Sequence, residues 1–300
     1  MANAAINRKN GQMDYFDKSN TTSLVVSRIV SYIFLAFVTV LSLFSFYLLI
    51  INATRSNAQL QAGFTLLPKE HFIDNLVTAW NDTSLFFLPQ GMLNSFIVAA
   101  LTCILTTYFS AMTAYGVCVY DFKGRNVVHK FIILVMMIPT QVSALGFVQL
   151  VNGLNLTNTY WPLVIPAIAA PATYFYMKQY IDSTLPLEIV EAARVDGSNE
   201  FRTYNFICMP ILKPAIAVQM IFAFVASWNN FFTPALVLDK KDMWTLPIML
   251  SIVRSRINSQ AGDMGEVYMI ILLSIVPVVI VYLFLSKFII GGVTLGSVKG

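Results

Sequence analysis

Between Arg28 and Arg55 the chain carries no charge, and residues 29–51 are predominantly apolar. About 20 such residues are what crossing the hydrocarbon core of a bilayer takes. A segment in lipid must also satisfy its own backbone polar groups, which leaves helices and closed barrels. The pattern recurs over about 93–119, 131–151, 161–180, 215–238 and 267–285, with Pro166 and Pro171 interrupting the fourth of these six stretches. The sequence therefore predicts an all-α polytopic membrane protein with six transmembrane helices. Composition agrees, at 57% hydrophobic and 11% charged residues, where a soluble domain carries about 25% charged. A Lys, Arg or Asp at the bilayer centre costs about 2.5–3.5 kcal/mol, which explains the purge.

The basic residues orient the spans. With the N-terminus in the cytosol, Arg8, Lys9, Lys18, Arg28, Lys123, Arg125, Lys130, Lys178, Arg194, Arg202, Lys213, Lys287 and Lys299 fall inside, thirteen of the nineteen Lys and Arg. Arg55, Lys69, Lys240, Lys241, Arg254 and Arg256 fall outside. That excess is the positive-inside bias. The expected plan is a cytosolic tail over 1–28, a first transmembrane helix over 29–51, an extracytoplasmic loop over 52–92, a core over 93–286 and a cytosolic tail over 287–300. The polar N-terminus lacks the early apolar stretch of a cleavable signal peptide. In the first outer loop Phe72, Ile73, Leu76, Val77 and Trp80 share one helical face. That face suits a short helix at the outer interface or a lid packed on the bundle. Residues 239–266 read as a second long outer loop, polar and without net charge.

Several chemistries have no residues to carry them. The chain contains no G-x-x-x-x-G-K-[ST] phosphate-binding loop. It has no Ser/His/Asp set and no paired carboxylates within a span, and His71 and His129 lie far apart in loops. Cys103, Cys118 and Cys208 are too few and scattered for a disulfide framework or metal cluster, and read as packing residues. There is no basic block for nucleic acid. Five of the six spans lack any Asp, Glu, Lys or Arg, with Lys178 near the inner end of the fourth. Proton-coupled carriers place ionisable groups inside the membrane. An enzyme active site and a cofactor of the chain's own are therefore not expected.

Against this background residues 188–202 stand out, because six of these fifteen residues are charged: Glu188, Glu191, Arg194, Asp196, Glu200 and Arg202. They lie in a cytosolic segment over 182–214, longer than a connection between two helices needs. Pro186 suits the first turn of a helix, and Glu188 follows where the helix dipole favours an acid. Gly197 suits a left-handed cap, and Ser198 or Asn199 can cap a second helix. The segment reads as two short helices joined by a glycine turn. Ala192 and Ala193 offer a small-residue face, Leu187, Val190 and Phe201 offer apolar knobs, and charges flank them. This is either a docking surface with an apolar centre and polar rim or an amphipathic brace for the bundle.

The stretch "EAARVDGSNEFRTYNFICMPILKP" closely resembles the EAA motif of the membrane subunits of bacterial ABC importers. Its elements here are Glu191, Ala192, Ala193, Gly197, Ile207 and Pro210, with Met209 where leucine is usual. "MIPTQV" (137–142), "WNNFFTPALVL" (228–238), "TLP" (245–247) and the terminal "GGVTLGSVKG" are similar to the carbohydrate-uptake branch, in particular its maltose-type second permease subunit. The resemblance runs from about residue 93 to the end. It implies a type I ABC importer permease fold in the bacterial inner membrane. It further implies a homologous second permease subunit, a dimer of ATP-binding subunits that uses ATP-Mg, and an extracytoplasmic sugar-binding protein. The first short helix would be the coupling helix, with Glu191, Ala192, Ala193, Asp196, Gly197 and Pro210 as motif positions and Glu188 and Arg194 as flanking contacts. The loop over 239–266 would meet the binding protein, and the C-terminal tail would reach the ATPase interface.

A sugar needs neutral hydrogen-bonding groups and apolar faces. The spans carry Asn94, Ser95, Thr106, Thr107, Tyr108, Thr140, Gln141, Gln149, Gln219, Ser227, Asn229 and Asn230, accompanied by Trp228. Such groups serve equally for packing and bonding between helices. Pro139 and Pro234 break two spans, and broken backbone at membrane depth is tolerated beside protein or a cavity. The expected substrate path or gate is therefore Asn94, Pro139, Gln141, Trp228, Asn229, Asn230 and Pro234. The expected function is a permease subunit of an ATP-driven sugar importer. A same-architecture importer for a phosphorylated polyol or amino acid, an ion-coupled secondary carrier and a membrane scaffold without transport are the alternatives.

Overall fold

The computed structural model describes residues 2–83, 86–258 and 263–296, with side chains described over 24–83, 86–255 and 263–288. Every regular element among them is helical. In chain order these are α1 (Ala2–Ala53), α2 (Asn57–Gln61), α3 (Phe72–Asn81), α4 (Leu88–Val119), α5 (Arg125–Met136), α6 (Ala144–Gly153) and α7 (Trp161–Val164), which runs into a tight helical turn over Ile165–Ile168. Then come α8 (Pro171–Thr184), α9 (Leu187–Val195), α10 (Glu200–Arg202), a wide π-helical segment over Thr203–Cys208, α11 (Met209–Ile211), α12 (Lys213–Trp228), α13 (Phe232–Val237), α14 (Leu246–Asn258) and α15 (Met264–Gly296).

Among the described residues three stretches are long and apolar enough to cross a membrane unaided: Leu24–Ala53 of α1, the whole of α4, and Met264–Phe288 of α15. Glu200–Ile211 and Lys213–Trp228 offer a fourth crossing if taken as one span bent by 84°. The six apolar stretches of the sequence thus fall on three unbroken helices and three broken ones. Stretch 131–151 divides into α5 and α6, 161–180 into α7, the tight turn and α8, and 215–238 into α12 and α13. Proline explains the breaks. A residue before proline is pushed out of the helical region, and proline has no N–H for the carbonyl four residues back. Pro139 follows the end of α5, Pro171 starts α8, and Pro234 lies in the first turn of α13.

A carbonyl left without its helical partner in an apolar bundle must find another donor. The carbonyl that Pro171 cannot serve is that of Ala167, and Thr106 Oγ1, near the middle of α4, donates to it at 2.8 Å. One turn along, Ser110 Oγ donates at 3.4 Å to the Ala170 carbonyl, which also accepts from the Tyr174 N–H at 3.0 Å.

Helices α4, α12 and α15 pack together at the centre, and α8 lies along α4. At the end of the bundle that carries α3 and α14, the outer end if the charge bias sets the orientation, the core holds Leu88, Phe224, Trp228, Leu246, Met249 and Met269. Toward the opposite, inner end it holds Tyr115, Tyr174, Met177, Ile181, Tyr204 and Leu212. Helix α1 packs on α15, yet of its described side chains only Ile51 and Ala53 are buried. So exposed an apolar helix is what lipid, not water, accommodates. All three cysteines are buried and free, as packing residues are.

The outer segments differ from the sequence expectation in two ways. The loop over 239–266 is largely α14, whose Leu246, Met249 and Val253 are buried in the outer core. Residues 259–262 lie outside the described residues. Helix α3 turns Asn75 and Ala79 inward and leaves Ile73, Val77 and Trp80 exposed. Both readings of that helix combine: it is fastened to the bundle, and its apolar stripe faces outward. Asn75 fastens it, with Nδ2 donating to the carbonyls of Ala53 at 2.9 Å and Arg55 at 3.0 Å. The buried Arg55 guanidinium donates to Asn52 Oδ1 and to the carbonyls of Gln59 and Gly63.

Gly265, at the start of α15, closes this outer corner. A Cβ there would stand 2.3 Å from the Arg55 carbonyl oxygen and 2.8 Å from Asn75 Nδ2. Gly265→Ala is therefore expected to destabilise the subunit by about 1–3 kcal/mol, the usual cost of overpacking. Thermal inactivation of the detergent-solubilised protein measures it, and an unchanged midpoint would contradict the close packing.

Candidate functional site

Helix α9 starts directly after Pro186, which is extended at φ −65° and ψ 127°, so this proline precedes the first turn instead of lying in it. Val190 and Ala193, three residues apart, point into the bundle, and Val190 joins the inner core. Leu187, Glu188, Ile189, Glu191, Ala192, Arg194, Val195 and Asp196 are exposed. Ala193 is thus not part of an outward small-residue face, contrary to the expectation. Its side chain serves the seat of α9, because the helix turns its i, i+3 pair inward. Ala192 is the outward alanine, between Glu188 and Glu191 and the apolar Leu187 and Val195.

The helix ends as Gly197 suggested. Gly197 has φ +76°. Its N–H donates to the Arg194 carbonyl at 3.0 Å, and the Ser198 N–H donates to the Ala193 carbonyl at 2.9 Å. These two bonds are the paired closure of a Schellman cap. Asn199, not Ser198, caps the next helix, its Oδ1 accepting from the Arg202 N–H at 2.8 Å. Ser198 instead accepts from Thr203 Oγ1 at 2.9 Å. The second helix is not a plain α-helix: after one turn it widens into the π-helical segment, where the Met209 N–H donates to the Tyr204 carbonyl. The exposed Pro210 follows. Its ring crowds the carbonyl four residues back, which a widened turn relieves.

Across the Gly197 turn, Arg194 Nε donates to Glu200 Oε1 at 2.8 Å. The adjoining carboxylate raises the Arg194 guanidinium above its ordinary value. Glu188, Glu191 and Asp196 make no ion pair among the described residues. The exposed face of α9 and its cap therefore offers one paired cation and three unpaired acids around an exposed apolar strip.

The second candidate region lies where the three broken helices meet. A cavity of about 590 Å³ opens there between the α5–α6 break, the turn leading to α8, and the α12–α13 break. Thr140, Ser143, Asn230 and Thr233 supply its polar atoms, and Phe147, Phe232, Leu236 and Pro166 its apolar wall. No charged residue lines it. Asn230 Oδ1 also accepts from the Thr233 N–H at 3.3 Å, which restarts the helix after the break. A smaller cavity of about 340 Å³, with Ser110, Thr113 and Tyr174, shares Val135, Ala169, Ala170 and Pro171 with it.

Of the expected path residues, the structure brings Asn230 to this cavity. Pro139, Gln141 and Asn229 are exposed at the same two breaks. Pro234 is buried within α13. Asn94 and Trp228 belong elsewhere. Trp228 is buried, stacks on Phe224 at 5.8 Å and donates from Nε1 to the Ser274 carbonyl at 3.1 Å. Asn94 Nδ2 donates to the carbonyls of Asp242 at 2.8 Å and Trp244 at 2.9 Å, while its Oδ1 accepts from Gln90. Beside it, Ser95 Oγ accepts from the Leu246 N–H at 2.7 Å. These two polar residues fasten the segment before α14 onto α4. Ser143 and Thr233 were missed.

Asn94→Leu removes two bonds from a buried side chain to backbone carbonyls and is expected to cost about 2 kcal/mol. Thermal unfolding should register that loss while substrate affinity in the surviving protein stays unchanged. A large affinity change at unaltered stability would return Asn94 to the path.

Residues 106–291 match the family model described as "binding-protein-dependent transport system inner membrane component". Over 280 residues the chain is 35% identical to the arabinooligosaccharides transport system permease protein AraQ of Bacillus subtilis, covering 92% of this chain and 97% of that one. It is 28% identical over 260 residues to the sn-glycerol-3-phosphate transport system permease protein UgpE of Yersinia pestis, covering 84% and 90%. The fold is also similar to a chain in the crystal structure of a bacterial ABC transporter that imports the acidic polysaccharide alginate. That match has a TM-score of 0.74 at 21% identity and covers 87% of this chain and 96% of that chain. An all-helical membrane bundle with three proline-broken helices around a cavity, matched over most of its length by transport permeases, belongs to the family of inner membrane components of binding-protein-dependent transport systems.

Proposed function

We propose that this chain forms one wall of the passage in an ATP-driven importer of neutral sugars or oligosaccharides. The observation that carries the reading is the uncharged cavity at the meeting of the three broken helices. Hydroxyls of Thr140, Ser143 and Thr233 and the amide of Asn230 each both donate and accept, as sugar hydroxyls do. Phe147 and Phe232 supply apolar surface for the sugar ring. A phosphorylated solute calls for Arg or Lys, and this wall provides none. The substrate class named for the arabinooligosaccharide relative therefore fits it better than that named for the glycerol-phosphate relative.

A homologous permease subunit supplies the opposite wall. A dimer of ATP-binding subunits binds and hydrolyses ATP-Mg in separate chains. One of them receives α9 in a groove, with Ala192 at the contact, Glu188, Glu191 and Asp196 at its rim, and Gly197 and Pro210 setting the shape behind it. Closure of that dimer pushes α9 and switches the passage between inward and outward openings. An extracytoplasmic sugar-binding protein docks over the segment before α14. There Asn158 Oδ1 accepts from the N–H groups of Asp239 at 2.6 Å and Lys240 at 2.9 Å, holding a charged, exposed turn in place. Both termini lie in the cytosol of a bacterial cell. The C-terminal tail extends toward the ATPase interface, and its residues 297–300 lie outside the described residues.

Uptake by vesicles containing the assembled complex tests the reading. Labelled arabinooligosaccharide uptake should require ATP, and unlabelled neutral oligosaccharides, not glycerol phosphate, should compete. Uptake by this chain alone without ATP would overturn the reading in favour of a secondary carrier. Asn230→Leu should raise the KM for sugar about tenfold, equivalent to about 1.4 kcal/mol of lost hydrogen bonding, with the complex still assembled.

Gly197 provides a separate prediction for the docking side. Proline cannot adopt φ +76° and removes the N–H that closes the cap. Gly197→Pro should therefore abolish uptake while the subunit still inserts. Gly197→Ala meets no atom within 4 Å and bears only the left-handed strain of about 1–2 kcal/mol, so it should retain partial uptake.

A further inference from the structure

Two contacts join the region of α9 to the end of α4, a helix distant in the chain, and a third braces that region from within. Arg194 Nε donates to Glu200 Oε1 at 2.8 Å, bridging the Gly197 turn. The Arg194 guanidinium lies over the Tyr120 ring, 5.3 Å from its centre. Tyr115 donates from its hydroxyl to the other oxygen of the same carboxylate, Glu200 Oε2, at 3.2 Å. Tyr115 belongs to the last turns of α4 and is buried, and Tyr120 is the residue that ends α4. The rings continue the joint: Tyr115 lies 5.3 Å from Tyr204 of the π-helical segment and 6.2 Å from Tyr120. Tyr204 in turn donates to the Tyr108 carbonyl of α4 at 3.0 Å.

An isolated ion pair as exposed as Arg194–Glu200, at 37% and 43%, holds two helices weakly. Here each member also rests on a tyrosine of a third element, so the pair cannot part without breaking contacts to α4. Helix α4 runs unbroken from this joint into the membrane. About a turn and a half above Tyr115, Ser110 holds the Ala170 carbonyl, and one turn further Thr106 holds that of Ala167. Both alanines line the larger cavity.

We propose that Arg194, Glu200, Tyr115 and Tyr120 form a clamp that makes α4 move with the coupling helix, so that its displacement reaches the cavity wall through Thr106 and Ser110. The chain itself joins α9 only to α8 and to the α10–α12 segment. The clamp adds a third lever, the one whose hydroxyls hold the proline-broken turn. It also stiffens the left-handed Gly197 turn, which would otherwise absorb part of the stroke. These four are positioning residues, and the inference rests on the docking of an ATPase at α9 proposed above.

The test uses the full complex in proteoliposomes and reads sugar transported per ATP hydrolysed. Glu200→Gln should lower that ratio about fivefold, the low end of an energetic coupling between two sites, while assembly and ATP turnover persist, and Arg194→Glu should lower it at least as far. Tyr115→Phe, which keeps the ring and loses only the hydroxyl, should lower it in the same direction. The exchanged pair Arg194→Glu with Glu200→Arg should recover about half of the loss, which a purely local folding defect would not do. A wild-type ratio in Glu200→Gln, or no recovery in the exchanged pair, overturns the clamp. Failure of Glu191→Cys to cross-link to an ATPase subunit in the otherwise wild-type complex overturns the docking itself, and the clamp with it.

Discussion

A backbone carbonyl that proline leaves without a partner, in a medium without water, governs this structure. In water such a carbonyl would be hydrated. In a bundle surrounded by lipid it must be met by another protein group or face a cavity. The chain breaks three of its apolar stretches with proline or at a capped restart, and it gathers those breaks in one place. Thr106 and Ser110 of the unbroken α4 meet two of the carbonyls of the turn before α8. The α12–α13 break is steadied by Asn230 on the Thr233 N–H. What remains between the breaks is a cavity with a handful of neutral polar atoms and no charge.

The same economy shapes the two ends of the bundle. At the outer end, the buried side chains of Asn75, Asn94 and Ser95 and the half-buried amide of Asn158 tie backbone of the connecting segments down. A neutral side chain does this without the desolvation cost that a charge incurs. At the inner end, where water is at hand, the chain uses charge. The exposed acids of α9, the Arg194–Glu200 pair and the tyrosines behind it belong to a surface that has to be both soluble and stiff.

Much of this was legible in the residues themselves. Gly197 signalled a left-handed cap because few other residues adopt that backbone, and the cap is there with both closing bonds. The proline positions announced broken helices. The face of α3 was legible as a stripe, though not the direction in which it points. That was settled by Asn75, whose amide has carbonyls waiting on only one side. Asn94 and Trp228, expected on the path, bond to backbone away from the cavity for a related reason. A polar residue in an apolar span signals a hydrogen bond, and sequence spacing does not say whether the partner is a ligand or a backbone carbonyl 46 to 150 positions away.

The sequence by itself determined that the chain lives in a membrane as a helical bundle, and that prolines interrupt its apolar stretches. Those properties follow from hydropathy, charge and the missing N–H of proline, all of which act within a few neighbouring residues. Only the tertiary structure decided which polar groups are spent on holding the bundle and which are left over for a passage, that Ala193 turns inward while Ala192 faces out, and that Tyr115 and Tyr120 stand beside Arg194 and Glu200. Each of those depends on which distant segments come within about 3 Å of one another, the range at which a hydrogen bond exists at all.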